Sequence, residues 1–123
     1  MIGLFTLLLV VAGCGSGEVP ISHGKAPADW VDDLNHADIA VRVKAVKKLG
    51  NIGTKDADAL PGIYQALTDS APAVRKEAIY AVVRTFPASR EAVTTLQEMS
   101  TDDPDEAVKK IAEEAYGNLS GNK

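Results

Sequence analysis

The chain has 123 residues and a formal net charge of −4, and its length suits a single domain. Its 17 acidic and 13 basic residues are interspersed. Because phosphate binding needs a clear basic surplus, this composition argues against nucleic acid as a partner. The single cysteine excludes an internal disulfide.

The chain begins with an uncharged apolar run from Met1 to Ala12. A membrane-spanning helix needs about 20 apolar residues, so the run is too short to cross a bilayer. It has the length of the apolar region of a secretory signal peptide. It ends in Val11-Ala12-Gly13-Cys14, which resembles a bacterial lipobox, in which small residues precede the cysteine that becomes the lipidated first residue. Unlike most such leaders, it has no Lys or Arg before the apolar run.

This resemblance implies a lipoprotein signal peptide over residues 1–13, lipidation of Cys14 and a place in the bacterial cell envelope. Two or three acyl chains on Cys14 would anchor the protein stably to a membrane, since a single chain binds only marginally. The alternative is an ordinary leader with an unpaired thiol. Residues 14–25 are rich in Gly, Ser and Pro and predict a flexible tether, and residues 26–120 predict the folded domain.

The first predicted helix pair follows the tether. A short helix carries three apolar residues at helical spacing, namely Trp30, Val31 and Leu34. A lone Trp in such a position is more often part of the core than a ligand platform. Asp38 is the predicted N-cap of the second helix, and Gly50 and Gly53 are expected to end it through positive φ angles.

In the second pair, a helix beginning near Pro61 has an apolar face made of Leu60, Ile63, Tyr64 and Leu67. The next helix has the clearest start of the chain, because Ser70 can cap it and Pro72 suits its first turn. One stripe of this helix is predicted to be buried: Val74, Ala78, Val82 and Thr85. The helix stops before Pro87, since the residue preceding a proline avoids the α region.

The third pair begins near Ser89, and its first helix turns three residues inward: Val93, Leu96 and Met99. Asp103 is the predicted cap of the last helix and Pro104 its first residue. The last helix completes the core with Ala112, Ala115 and Leu119.

The three pairs repeat one another. Equivalent residues of the first and second pairs are 33 positions apart, and those of the second and third are 34 apart. The register is clearest for Ala45, Ala78 and Ala112, whose small side chains would let the two helices of a pair approach closely. A fixed period in this range predicts a repeat array. The sequence has neither the Thr-Pro-Leu-His block of ankyrin repeats nor the Trp-x-x-Leu-Gly-x-x-Tyr block of tetratricopeptide repeats.

The motif that is present runs Leu67-x-Asp69, then Val74-Arg75, then Ala78 and Val82 at helical spacing. It resembles HEAT repeats in the short bacterial form that also occurs in phycobilisome-lyase-like proteins, over residues 26–119. The resemblance implies an all-α fold, an α-α superhelix (a short HEAT or armadillo-like solenoid) of about three helix pairs. Two positions depart from the motif, because His36 replaces the aspartate and Lys109 the arginine.

The resemblance also implies that pairs of acidic and basic residues tie neighbouring repeats together. Asp69 with Arg75 and Asp103 with Lys109 recur at one spacing and are the predicted pairs. The alternative is an exposed ion pair, worth about 0–1 kcal/mol.

No reaction centre is predicted, and we expect no catalytic residue, cofactor or metal. Four acidic residues cluster between 102 and 106, but helix capping explains them better than a metal site, since no Asp-x-Asp-x-Asp-Gly loop is present. His23 and His36 have no second His or Cys at metal-ligand spacing. No Gly-x-Ser-x-Gly, phosphate-loop or dinucleotide motif occurs.

In HEAT arrays the second helices line the inner face, which often binds a ligand. The repeat register predicts two rows pointing away from the core there, the first of Val43, Lys76 and Lys110 and the second of Lys47, Tyr80 and Glu114. Tyr80, flanked by lysines, is a candidate anchor for a protein partner. The alternative is an ordinary solvated polar face.

The sequence therefore predicts an interaction module or scaffold, held on a membrane, that binds an unidentified protein without turnover. One alternative is an accessory subunit acting on a bound cofactor, as the lyase resemblance suggests. Another is a purely structural repeat protein. The end faces of so short an array are further predicted to be covered by a partner or by a second copy of the chain.

Overall fold

A computed structural model describes residues 24–85 and 87–121. The predicted signal peptide, Cys14 and most of the predicted tether lie outside these residues. In the described part, the chain forms six α-helices, a 3₁₀ turn at Ala57–Ala59, and no strand. The helices are α1 (Pro27–Asp33), α2 (Ile39–Gly53), α3 (Leu60–Ala66), α4 (Pro72–Arg84), α5 (Arg90–Asp102) and α6 (Glu106–Ser120).

The helices form two layers. The second helices of the three pairs lie side by side, α2 against α4 and α4 against α6. The first helices cover them, with α1 packed on α2, α3 on both α2 and α4, and α5 on α6. The predicted all-α superhelix of three helix pairs is confirmed. Among the described residues, no helix combines the length and the apolar character that crossing a membrane requires.

The core lies between the two layers and follows the predicted register. Ala45, Ala78 and Ala112 are each completely buried, which lets the helices of a pair approach closely. The predicted stripe of α4 is also buried along its whole length, from Val74 to Thr85. Trp30 is half-buried and packs against the core, and the Lys25 Nζ lies 4.5 Å from the centre of its ring. These observations favour the packing interpretation of Trp30.

Two predicted helix starts are confirmed. The Asp38 carboxylate accepts a hydrogen bond from the Ala40 N–H at the start of α2. The Ser89 hydroxyl accepts one from the Ala92 N–H at the start of α5.

The predicted caps of α4 and α6 are wrong. The N-cap of α4 is Ala71 and not Ser70, and α6 begins at Glu106, with Asp105 and not Asp103 as its N-cap. The reason is that Asp69 and Asp103 bind the backbone of the loop that precedes each helix. The Asp69 and Asp103 carboxylates each accept the backbone N–H two residues further on, and this tight turn delays the helix.

The prediction that Gly50 and Gly53 end α2 through positive φ is also wrong. The described residues contain one positive φ, at Gly121, and both earlier glycines lie inside α2. A Cβ at Gly53 would lie 2.7 Å from the Thr85 Cγ2, and Gly50 lies against the Arg84 guanidinium. A side chain at Gly53 would therefore clash with the end of α4, whereas at Gly50 the nearest group is the end of the flexible Arg84 side chain.

Candidate functional site

A ladder of ion pairs joins consecutive repeats. The Arg42 Nε donates to Asp69 Oδ2 at 3.0 Å and its Nη2 to Oδ1 at 3.2 Å. Arg75 binds Asp103 in the same way, at 2.8 and 2.9 Å. Each bond pair runs from a second helix to the loop of the following repeat, so the ladder fixes the stacking of α2, α4 and α6. Two parallel bonds between a guanidinium and a carboxylate add geometric specificity as well as energy.

The third nitrogen of each arginine holds its own loop. The Arg75 Nη1 donates to the carbonyls of Asp69 and Ser70 at 2.8 and 3.1 Å. The Arg42 Nη1 likewise donates to two loop carbonyls, at 2.7 and 3.2 Å. Each guanidinium thus joins two loops. The second pair is also the drier, because its side chains are 9% and 4% exposed against 12% and 13% in the first.

The structure corrects the predicted pairing inside the ladder. The Asp69 carboxylate binds Arg42 and not Arg75, and the Asp103 carboxylate binds Arg75 and not Lys109. The arginine side chain extends forward to the next repeat, so it meets only the backbone of its own aspartate. The Lys109 Nζ lies 3.1 Å from the carboxylate of Glu106 on the same helix. The resemblance implies that such ion pairs tie neighbouring repeats together, and the observed geometry agrees with this role.

The face of the second helices contains an open groove between α4 and α6, with a volume of about 480 Å³. Four of the residues that line it are aliphatic, namely Ile79, Val83, Ile111 and Ala115. The others are Tyr80, Arg84, Glu114 and Asn118. Tyr80 is 47% exposed and Val83 is 37% exposed. Together with Ile39, they are the exposed large hydrophobic residues in the described part of the chain.

We call the contact between α2 and α4 the first seam and that between α4 and α6 the second seam. At the first seam, the Arg84 guanidinium lies against Gly50 and one of its nitrogens is 3.5 Å from the Glu77 carboxylate. The equivalent positions of the second seam hold Ile111 in place of Glu77 and Asn118 in place of Arg84. The open groove thus coincides with the replacement of these two charged side chains.

A family model described as HEAT repeats matches residues 27–117, which is most of the chain. The chain belongs to the HEAT-repeat family. No curated protein matches it. HEAT arrays are typically non-catalytic scaffolds whose stacked repeats present extended binding surfaces, so the coarse function is that of an interaction or structural repeat module.

The ladder includes neither His36 nor Lys109, which occupy the aspartate position of the first repeat and the arginine position of the third. His36 stands where the later repeats have Asp69 and Asp103, and its Nδ1 accepts the Asp38 N–H at 3.0 Å. The imidazole thus keeps the loop turn that the aspartates make. It does not offer the carboxylate that receives an arginine from a preceding repeat. At the other end of the array, Lys109 occupies the arginine position.

Two of the acidic residues near the start of α6 have structural roles. The Asp103 carboxylate serves the ladder, and the Asp105 carboxylate caps α6 by accepting the Val108 N–H at 3.0 Å. Among residues 24–85 and 87–121, no three His, Cys, Asp or Glu side chains come together as a metal site would require.

Of the six residues predicted for the binding face, two line the groove, Tyr80 and Glu114. Lys47 and Lys110 are exposed but do not line the groove, and Lys76 is half-buried. Val43 differs from the prediction that it points away from the core, because it is half-buried and packs against the core. An aliphatic side chain gains more from this contact than from exposure to water.

The aliphatic lining of the groove was not predicted from the sequence. Ile111 stands at the register of Glu77, and Val83 at the register of Gly50. Both changes run from a polar or absent side chain to an apolar one, which is exposed at Val83 and half-buried at Ile111. A comparison of the seams position by position contains this signal, whereas the pattern of one helix does not.

Proposed function

We propose that this HEAT-repeat protein is a lipid-anchored interaction module of the bacterial envelope and that it binds a protein partner through the groove of the second seam. It binds its partner without turnover. The observation that carries the proposal is the position of Tyr80, half exposed beside an aliphatic groove of about 480 Å³. Tyr and aliphatic side chains around a concave surface are the usual centre of a protein interface.

The apolar exposure is concentrated rather than scattered. Two of the three exposed large hydrophobic residues in the described part of the chain, Tyr80 and Val83, lie at this groove. Isolated exposed apolar residues are normal on any protein, but a contiguous patch with a polar rim is typical of an interaction site. Arg84, Glu114 and Asn118 provide such a rim.

The interaction is tested by replacing Tyr80 with a photo-crosslinking amino acid in cells that produce the full chain. The matched control carries the crosslinker at Thr94, an exposed position on α5 in the other layer. We expect a discrete protein adduct from position 80 that is absent from position 94. Equal adducts from both positions, or none from either, would favour a purely structural role.

The anchor is tested separately, because it depends on the four residues that end in Cys14. We expect the Cys14→Ser variant to move from the membrane fraction to the soluble fraction. The control is a Ser16→Ala variant, which leaves the cysteine in place. If the Cys14→Ser variant stays with the membranes, the lipid anchor is wrong, while binding at the groove is unaffected.

A further inference from the structure

We propose that the occupant of the groove is an amphipathic helical segment of a partner protein that places aliphatic side chains in the groove and a Lys or Arg beside Glu114. This inference rests on the proposed function and adds the chemistry of the partner. It depends on three observations: the distribution of charge along the array, the ion pairs at the groove, and the shape of the groove.

Charge is distributed unevenly among the repeats. Residues 90–121 contain eight acidic and three basic side chains, whereas residues 24–56 contain five acidic and six basic ones. The groove lies between α4 and α6, so one of its walls belongs to the acidic third repeat. A field of this sign attracts basic segments and repels acidic ones.

The charged residues of the groove itself also favour a basic partner. Two charged residues line the groove, Arg84 and Glu114. Arg84 lies within ion-pair distance of Glu77, at 3.5 Å. Glu114 is exposed, and within the described residues no basic side chain approaches its carboxylate to 4.0 Å, including Lys110 one turn earlier. An incoming cation therefore meets a carboxylate that no ion pair already occupies.

The shape suits a helix. The lining residues span Ile79 to Arg84 on α4 and Ile111 to Asn118 on α6, so each wall is about two helical turns long. An amphipathic helix presents aliphatic side chains at i, i+3, i+4 and i+7, which matches an apolar groove of that length. The competing hypothesis is an acidic segment held by Lys47, Lys76 and Lys110. It is less favoured, because none of these lysines lines the groove.

The probes are two fluorescent helical peptides with the same leucine face, one with lysines on its polar face and the other with glutamates. Their binding to the full chain is measured by fluorescence anisotropy at an ionic strength of about 0.1 M, where the Debye length is about 10 Å. We expect the lysine peptide to bind at least about tenfold more tightly than the glutamate peptide. Glu114→Lys should reduce this preference to below about threefold.

The control for net charge is Glu98→Lys, which makes the same change at an exposed position of α5 outside the groove. We expect it to leave the preference within about twofold of the parent chain, because exposed charges beyond a Debye length are screened. If Glu98→Lys acts as strongly as Glu114→Lys, the peptide is binding through general attraction, and the inference is overturned.

A third variant separates this inference from the proposed function. Ile111→Glu places a charge on the apolar wall and should abolish binding of both peptides, and Ile111→Ala should weaken it. Because Ile111 also packs against the core, circular dichroism must show that both variants remain folded. If the glutamate peptide binds more tightly and responds to these variants, the groove is a docking site for acidic segments and only the present inference fails. If neither peptide responds to either variant, docking at the groove fails as well.

Discussion

The two seams of this array share one register but differ in what covers them. At the first seam Arg84 lies over Gly50 and pairs with Glu77, so the space between α2 and α4 is filled by charged side chains of the protein itself. At the second seam, Ile111 and Asn118 stand at the equivalent positions, and an apolar groove is open. A repeat can therefore keep a constant core while single positions on its outer surface create or remove a binding surface.

What the seams share is the buried framework. The same arginine fork crosses both of them, and the same buried alanine recurs in each helix pair. Because stability in a repeat array depends on each unit and its contacts with its neighbours, substitutions in this framework should act on stability. Substitutions at the groove should instead act on binding. The predictions below test this division.

The largest effect is expected from breaking the second ion pair of the ladder. Asp103→Ala leaves the Arg75 guanidinium buried without a carboxylate, and removing one partner of such a pair typically costs about 3–5 kcal/mol. Asp69→Ala breaks the more exposed first pair and should cost less, about 1–3 kcal/mol. The free energy of unfolding in urea measures both.

The matched control for this pair is Asp102→Ala, an exposed neighbour that takes no part in the ladder, and it should change stability by less than about 0.5 kcal/mol. Equal losses for Asp69→Ala and Asp103→Ala would show that burial does not set the strength of the two ion pairs.

The next effect concerns the buried alanines. Ala78→Leu adds three carbon atoms to a completely buried position and should cost about 1–3 kcal/mol through overpacking. Ala45→Leu and Ala112→Leu should cost similar amounts if the framework is shared. Ala73→Leu, at an exposed position of α4, is the control. An unchanged melting temperature for the Ala78 variant would contradict the register.

Most of this framework could be predicted from the sequence, because it depends on contacts within one helix pair. The 33-residue and 34-residue offsets and the stripe from Val74 to Thr85 are enough to define the layers and the buried alanines. The errors concern contacts between repeats. Ser70 and Asp103 are not caps, because the loop aspartates make a tight turn and receive the arginine of the preceding repeat.

Gly50 and the groove show the same limit. Gly50 has the pattern of a helix terminator, yet it lies within α2, where Arg84 of the next repeat packs against it. Tyr80 and Glu114 could be placed on one face from the register alone. The apolar lining becomes visible only when the two seams are compared position by position, because its exposure depends on which side chain the neighbouring helix places over it.

Exchanging the seams should move the groove at a modest cost in stability. Ile111→Glu combined with Asn118→Arg gives the second seam the charged pair of the first. Ile111 is half-buried against the core, so replacing it should cost about 1–2 kcal/mol, while the adduct from position 80 should be lost. The reverse change, Glu77→Ile with Arg84→Asn, should open the first seam. Undiminished crosslinking in the Ile111 and Asn118 double variant would mean that the open groove is not what distinguishes the two seams.

The smallest effect is expected at the two ends of the ladder, at His36 and Lys109. His36→Asp supplies the missing carboxylate and Lys109→Arg the missing guanidinium, and since both positions are at the surface, neither change should alter stability by more than about 0.5 kcal/mol. In the parent chain, head-to-tail stacking of two copies would bring the Lys109 ammonium of one copy to the His36 imidazole of the other. The Nδ1 of His36 already accepts the Asp38 N–H, so it is not free to accept a hydrogen bond from Lys109, and the two ends do not match. Only the double variant has complementary ends, and we expect it alone to show a concentration-dependent sedimentation coefficient. Association of the parent chain through these ends, or of either single variant to the same extent, would mean that the fork of arginine and aspartate is not what makes one repeat stack on the next.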